Sequence, residues 1–431
     1  MAEKFVIHGG QPLRGDVAIS GAKNSVLKLM AASLLTPAEI ILNNVPSLSD
    51  VDVMKDVIAY LGCEVSQNDN TVQLRARELT SVEAPYELVS KMRASFTVLG
   101  ALLGRCGEAK VSLPGGCSIG KRGVDLHVKG LEALGAEIEI NHGYVSAKAK
   151  ALTGAEILLD IPSVGATENI MLAAVLAKGS TVISNAAQEP EILDLANFLN
   201  TLGADVNGAG TTEIVINGVK PESLTGATYS VVPDRIEAST YLMAAVATHG
   251  DVTLHNVFAT HLSPIIYKLQ EVGAEITTVS PNSLRVQCPE RPKATNIVTL
   301  PYPGFPTDLQ APMMALLTTA EGVSIIKETI YENRFKQIGE LKRMGAEIQQ
   351  EGNVAVVTGV EALSGAQVRA SDLRAGAALV IAGLQAHGTT EILDLHHLDR
   401  GYEALVPKLN SLGADMIRVP VEEDSPEKAA I

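Results

Sequence analysis

One thiol, a set of cations and a set of carboxylates stand in this sequence where they can do chemistry. The thiol is Cys117, in LPGGCSIGKRGVDLH (113–127), with glycines before it and Lys121–Arg122 after it. Cysteine favours apolar interiors. In a basic, glycine-rich loop it is instead open to solvent and substrate, and the two cations can stabilise its thiolate. The charged groups recur at matching places. Lys23–Asn24, Arg93, Ser163–Val164–Gly165, Asp234–Arg235, Thr307–Asp308 and Asp372–Leu373–Arg374 each open a stretch of small apolar residues. A second variable place holds Gly116–Cys117, Glu189–Pro190–Glu191, His261, Glu332–Asn333–Arg334 and Asp399–Arg400.

An Asp or Ser at a helix start can be a simple cap, worth about 0.5–2 kcal/mol. For Asp234 and Asp372 capping and function are equally open. Lys23, Arg93 and Arg374 are not explained that way, because a cation at a helix N-terminus opposes the macrodipole. It is best tolerated facing an anion, and helix N-termini already offer free N–H groups to phosphate. Several such ends together read as a composite anion site. For Arg122, Arg334 and Arg400 a salt bridge or a solvated surface remains an equal alternative.

The elements that carry these residues repeat. YLGCEV (60–65), ALGAEI (133–138), TLGADV (201–206), EVGAEI (271–276), RMGAEI (343–348) and SLGADM (411–416) place glycines at 62, 135, 203, 273, 345 and 413, spaced 68 to 73 residues apart. Lys23, Arg93, Ser163, Asp234, Asp308 and Asp372 lie 37 to 42 residues ahead of those glycines. Internal repetition of this regularity decides the architecture. Each glycine ends a helix such as VDLHVKGLEAL (124–134) by taking positive φ, and a strand such as EIEI (137–140) follows. Upstream lies a helix apolar nearly all round, as one buried on every side must be: SVLKLMAASLL, SFTVLGALLG, TENIMLAAVLA, EASTYLMAAVA, LQAPMMALLTTA and AGAALVIAGLQA. After each comes a β-rich segment: IILNNV, AKVSLP, STVISN, DVTLHN, VSIIKE and TTEILD. Each unit thus reads strand–helix–strand–helix–strand–strand. At about 70 residues it exceeds a solenoid repeat and suits pseudo-symmetric α/β domains.

Composition agrees with that architecture. A chain of 431 residues predicts two or more domains. With 46% apolar but only 3% aromatic residues, the core must be Ala, Leu, Val and Ile. A net charge of −15 argues against general nucleic-acid binding, while leaving room for a local cluster of cations around a small anion. Cys63, Cys106, Cys117 and Cys288 show neither metal-ligand nor redox spacing and fit a reducing cytosol. The N-terminus reads as lacking a signal-peptide core, and no apolar run approaches the roughly 18 residues of a membrane span. The charged tail (420–431) is expected to be flexible.

LRGDVAISGAKNSVLKLMAA, LPGGCSIGKRGVDLH, PSVGATENIM, PDRIEAS, FPTDLQAP, ENRF, SGAQVRASDLRAGAALV and LDRGYE closely resemble motifs of the bacterial enolpyruvyl transferases, in the branch that acts on a nucleotide sugar, over residues 4–418. The resemblance implies a two-domain inside-out α/β barrel, three repeats per domain, with the first strand completing the C-terminal domain. The domains would be 22–230 and 1–21 plus 231–431, with the active site in the cleft between them. It implies transfer of the enolpyruvyl group of phosphoenolpyruvate to the 3′-hydroxyl of UDP-N-acetylglucosamine by addition and elimination. Phosphate leaves, and the reaction is the first committed step of peptidoglycan synthesis in the bacterial cytoplasm. No metal or organic cofactor, nucleic acid or membrane insertion is implied.

Carried over by motif, phosphoenolpyruvate would meet Lys23, Asn24, Arg93, Cys117, Arg122, Arg334, Arg374 and Arg400, with Lys23 and Arg400 stabilising charge during catalysis. The nucleotide sugar would meet Asn24, Arg93, Arg122, Gly123, Val124, Asp125, Leu126, Ser163, Val164, Gly165, Asp308 and Ile330. Asp308 would accept the 3′-hydroxyl proton, and Asp372 with Arg374 would complete the closed site. Cys117 would be the proton donor on a mobile loop, and a covalent phosphoenolpyruvate-derived adduct on its sulfur is expected. A model thiol pKa of about 8.5 leaves it protonated for that task. The chain departs from the family pattern at Gly123, where proline is common, at Lys121, and at Ile161–Pro162, where some relatives carry lysine. These departures bear on loop closure and nucleotide affinity. Competing readings are the sister reaction on shikimate 3-phosphate, a weakly active paralogue, and a non-enzymatic six-unit ring such as a DNA clamp.

Overall fold

A computed structural model describes residues 2–114 and 123–421. The chain divides into two compact units. One comprises Ser20–Arg235 with Leu300–Gly304; the other comprises Met1–Ile19, Ile236–Thr299 and Phe305–Ile431. Each has its own apolar core of Ala, Leu, Ile, Val and Met.

Each unit holds three four-stranded sheets of one pattern. A leading strand pairs parallel with the next, which pairs antiparallel with the hairpin that closes the repeat. In one sheet Glu156–Leu158 lies parallel to Ser180–Ser184, followed by Glu213–Asn217 and Asp205–Asn207. Each second strand is preceded by a buried helix, which provides the crossover a parallel step needs in the four sheets whose parallel strands are consecutive in one repeat. These helices are α1 (Lys23–Ala32), α2 (Val98–Cys106), α3 (Val164–Ala174), α4 (Arg235–Ala247), α5 (Gln310–Leu317) and α6 (Leu373–Gln385). The N-terminal strand Glu3–His8 completes the last sheet, between Thr389–Leu393 and Asp415–Pro420. Likewise, Ala227–Ser230 at the end of the first unit's third repeat leads that unit's first sheet.

Local sequence accounts for the joints. All six repeat glycines, from Gly62 to Gly413, have φ between 91° and 105°, the left-handed region that favours glycine. Where the second strand ends, Asn44, Asn185 and Asn256 take φ of 58° and Asp394 takes 63°. Each asparagine donates its side-chain amide to the leading strand's exit, at Val231, Leu159 and Ile19 oxygens respectively, over 2.7–2.9 Å. Helices α2 and α3 pack closely because Gly100 has no side chain: a Cβ there would lie 2.2 Å from the Asn169 carbonyl oxygen. After the buried helices, Gly107, Gly179, Gly322 and Gly388 take φ of 70° to 109°, whereas before Gly250 it is His249 that takes the left-handed turn, at φ 54°. Among the described residues no helix is long and apolar enough to cross a membrane.

Candidate active site

In the unit built on Ser20–Arg235, Lys23 opens α1 and is almost fully buried. Its ammonium sits 2.9 Å from Asp50 Oδ2, and its backbone N–H donates to Asp234 Oδ2 at 3.3 Å. Asp234 therefore supports the start of α1, across 211 residues of sequence. Asn24, one step on, is half-buried. Arg93 opens a short 3-10 turn and donates to the Gly123 carbonyl at 2.9 Å, joining that turn to the 123–126 stretch. Val124 precedes the helix Asp125–Ala133, and Leu126 packs against the core. Ser163 caps α3, its hydroxyl accepting from Ala166 N–H at 3.4 Å. Val164 and Gly165 form the first turn of that helix, half-exposed.

His127 joins these pieces. Its Nδ1 lies 2.8 Å from Asn169 Nδ2 of α3, its ring meets Phe96 edge-on, and a Cβ on Gly165 would stand 3.1 Å from its Cε1. Burial, reinforced by Arg93 and Lys28, lowers its pKa to about 3. It is thus a neutral spacer between the 123–126 stretch and α3. Lys28 also stands 2.7 Å from Glu168, a fully buried carboxyl whose pKa burial pushes up to about 7.

In the other unit, Asp308 lies in the turn Thr307–Leu309 that leads into α5. Its Oδ1 accepts from Arg334 at 2.6 Å and its Oδ2 from Arg374 at 3.1 Å. Both arginines are nearly buried, at 6% and 5% exposure, while the Asp308 side chain keeps 28%. The pair therefore presents an oriented carboxylate to solvent. Arg374 is itself placed from two sides. Asp372 caps α6 by accepting from the Arg374 and Ala375 N–H groups at 3.0 Å, and the Tyr402 hydroxyl lies 3.3 Å from the guanidinium. Tyr402 in turn meets Thr240 of α4 at 2.9 Å. Ile330 is half-buried, its N–H donating to Glu328 at 2.8 Å. Arg400 ends the 3-10 segment Leu395–Arg400, half-buried. Its neighbour Asp399 is bound to Arg418 through both oxygens, at 2.7 and 2.9 Å, which gives Asp399 a structural role.

Cys117, Lys121 and Arg122 lie outside the described residues, as does the tail beyond Val421. The other candidates fall into local groups: Lys23 with Asp50 and Asp234, Arg93 with Gly123, and Asp308 with Arg334 and Arg374. Sequence reasoning missed Asp50, His127, Asn169, Glu328 and Tyr402. Only His127 carried a signal, as the close of the Asp–Leu–His segment; the others act through tertiary contacts that no local pattern encodes.

The family model for EPSP synthase (3-phosphoshikimate 1-carboxyvinyltransferase) matches residues 7–409. Among solved structures, the enolpyruvyl transferase NikO from Streptomyces tendae superposes with a TM-score of 0.89 at 27% identity, over 98% of this chain and all of that one. EPSP synthase from Acinetobacter baumannii shares the fold at a TM-score of 0.76 and 18% identity, over 97% of this chain and all of its own. The chain thus belongs to the enolpyruvyl transferase family. Its curated relatives include UDP-N-acetylglucosamine 1-carboxyvinyltransferase 1 of Caldanaerobacter subterraneus, 56% identical over 97% of this chain and 100% of the relative. The enzyme of that name from Geobacter metallireducens is 52% identical over 97% of this chain and 99% of its own. Within the family, the chain therefore stands in the UDP-N-acetylglucosamine 1-carboxyvinyltransferase branch.

Proposed function

We propose that this chain transfers the enolpyruvyl group of phosphoenolpyruvate to the 3′-hydroxyl of UDP-N-acetylglucosamine, releasing phosphate. Full-length identity above one half to relatives named for that reaction favours it over the sister reaction on shikimate 3-phosphate. The geometric observation that carries it is the solvent-facing Asp308 carboxylate, oriented by two nearly buried arginines. A proton acceptor has to be held within hydrogen-bond reach of the hydroxyl it serves, and this one is held at both oxygens.

In the addition step the sugar hydroxyl gives its proton to Asp308 and its oxygen bonds to C2 of phosphoenolpyruvate. The π electrons take a proton at C3 from the Cys117 thiol. In the elimination step the Cys117 thiolate takes a proton back from C3 as the C2–O bond to phosphate breaks, leaving the enol ether. Asp308 returns its proton to the departing phosphate or to water. Lys23, Asn24, Arg93, Arg122, Arg334, Arg374 and Arg400 hold the phosphate and carboxylate, with Lys23 and Arg400 offsetting charge as it develops. Residues 122–126, Ser163, Val164, Gly165 and Ile330 hold the nucleotide sugar, which Asn24 and Arg93 also touch. Cys117 also accepts a phosphoenolpyruvate-derived adduct, and no cofactor enters. The setting is peptidoglycan synthesis in the bacterial cytoplasm.

The test is phosphate release from phosphoenolpyruvate with UDP-N-acetylglucosamine or shikimate 3-phosphate as acceptor, using the wild-type chain and Asp308→Asn. Release should depend on the nucleotide sugar. Asp308→Asn should lose about 10²–10⁴-fold in turnover and still bind the nucleotide sugar by calorimetry. Release driven by shikimate 3-phosphate, or full turnover by Asp308→Asn, would contradict the substrate or the base respectively.

A further inference from the structure

We infer that Glu328 is a positioning residue for this reaction, tying the turn that carries Asp308 to the loop that carries Ile330 and Arg334. The role rests on the proposed function of Asp308; the geometry does not. Glu328 follows the strand Val323–Lys327 and is 2% exposed. Its Oε1 accepts from the Thr299 hydroxyl at 2.8 Å and from the N–H groups of Ile330 and Tyr331 at 2.8 and 3.2 Å. Its Oε2 accepts from the Thr307 hydroxyl at 2.9 Å. Its own backbone is fixed on both sides by Asn353, through a 2.9 Å bond at the N–H and another at the carbonyl.

The repeats themselves provide the control. At the equivalent step after the second strand, Asn44, Asn185 and Asn256 each donate their side-chain amide to the leading strand's exit, and Asp394 accepts from Arg369 of its own leading strand. Glu328 replaces that asparagine. It keeps the link to the leading strand's exit through Thr299 and adds three donors, one on the Asp308 turn and two on the following loop. An ionised carboxylate accepts at about four lone-pair sites, whereas a primary amide has one acceptor oxygen. A fold needing only closure of the repeat is served by asparagine; converging four donors requires Glu. Thr307 directly precedes Asp308, so the Oε2 bond fixes where the Asp308 carboxylate emerges. The Oε1 bonds hang the loop leading to Arg334, which grips that same carboxylate. One buried side chain thereby sets the spacing between the base and one of its arginines.

The experiment uses the full chain with Thr307→Val, Thr307→Ser, Glu328→Gln, the Val/Gln double variant and Asp308→Asn, assayed for kcat and both KM values. Thr307→Val deletes the hydroxyl at nearly constant shape. It should lower kcat by about 10- to 10²-fold, the scale of a 1 Å misplacement, with both KM values close to wild type. Thr307→Ser should restore most of the rate. The double variant should lose less than the two single losses combined, because both changes act on the shared Thr307–Glu328 contact. Wild-type kcat in Thr307→Val, or a loss not rescued by serine, overturns the inference. If Glu328→Gln does not fold, the threonine pair alone decides. Asp308→Asn separates the two claims: if it is inactive while Thr307→Val is fully active, only the positioning role fails, and if it retains full turnover, both fail.

Discussion

Lowering the pH from 7.5 to 4.5 should cost the unit that holds Lys23 roughly 3 kcal/mol through His127 alone. The ring is buried against Phe96 and Asn169, and with Arg93 and Lys28 adding positive charge its pKa falls from 6.5 to about 3. The sign follows from which state takes the proton. Below 6.5 the unfolded chain protonates this histidine, while the native ring stays neutral until about 3. Its contribution is therefore complete above 6.5 and is lost progressively as pH falls through that window. At about 1.4 kcal/mol per pH unit, the two units between 6.5 and 4.5 give the stated loss. The assay is urea unfolding of wild type and His127→Gln at both pH values. The variant should be the less stable at pH 7.5, and the gap between the two proteins should shrink by that amount at pH 4.5, every other titrating group being common to both. Parallel stability curves, or a His127 Cε1 proton resonance titrating near 6.5, would refute the reasoning.

Glu168 should act with the opposite sign: its folded pKa of about 7 exceeds the 4.5 of the unfolded chain, so its contribution is present below 4.5 and lost as pH rises through 7. The unfolding free energy of Glu168→Gln should then fall less steeply between pH 5 and 8 than that of wild type, and an unchanged slope would contradict the assignment. Gly273→Ala, at φ 102° with open space around its Cβ, should cost only the left-handed strain of about 1–2 kcal/mol. Gly203→Ala meets the Ser223 carbonyl oxygen at 2.5 Å and should lower Tm further, so equal losses would remove the packing argument. Burial raises the thiol pKa of Cys63 and Cys288, while Cys106 is exposed but lies outside any glycine-rich basic loop, so the epoxide phosphonate fosfomycin should alkylate Cys117 selectively and faster with UDP-N-acetylglucosamine present; label spread over several cysteines in peptide maps would count against its role.

What was legible in the sequence and what was not divides along a physical line. The six repeat glycines could be read because a helix stop at positive φ is a local demand, and every one of them meets it. Ser163 and Asp372 cap their own helices, also a local event within three residues. Asp234 occupies the same place in its repeat but supports α1, because the return of the chain at Pro233 pairs with Gly21 and brings it there. That return is a property of the closed unit and leaves no trace in nearby residues. The same holds for Asp50 beside Lys23 and for Tyr402 beside Arg374, whose pairings span 27 and 28 residues. Pseudo-symmetry nevertheless gives leverage that a single-copy fold lacks. Each repeat is a control for the others, so a residue that breaks the common pattern while staying buried and fully hydrogen-bonded has been moved away from fold closure toward another task. Asn44, Asn185 and Asn256 define the pattern after the second strand, and Glu328 breaks it in the direction of Asp308. By that criterion Glu328 emerges only once burial and hydrogen bonding are known, because Leu113 and Asp394 also replace asparagine at this step and the sequence does not rank the three.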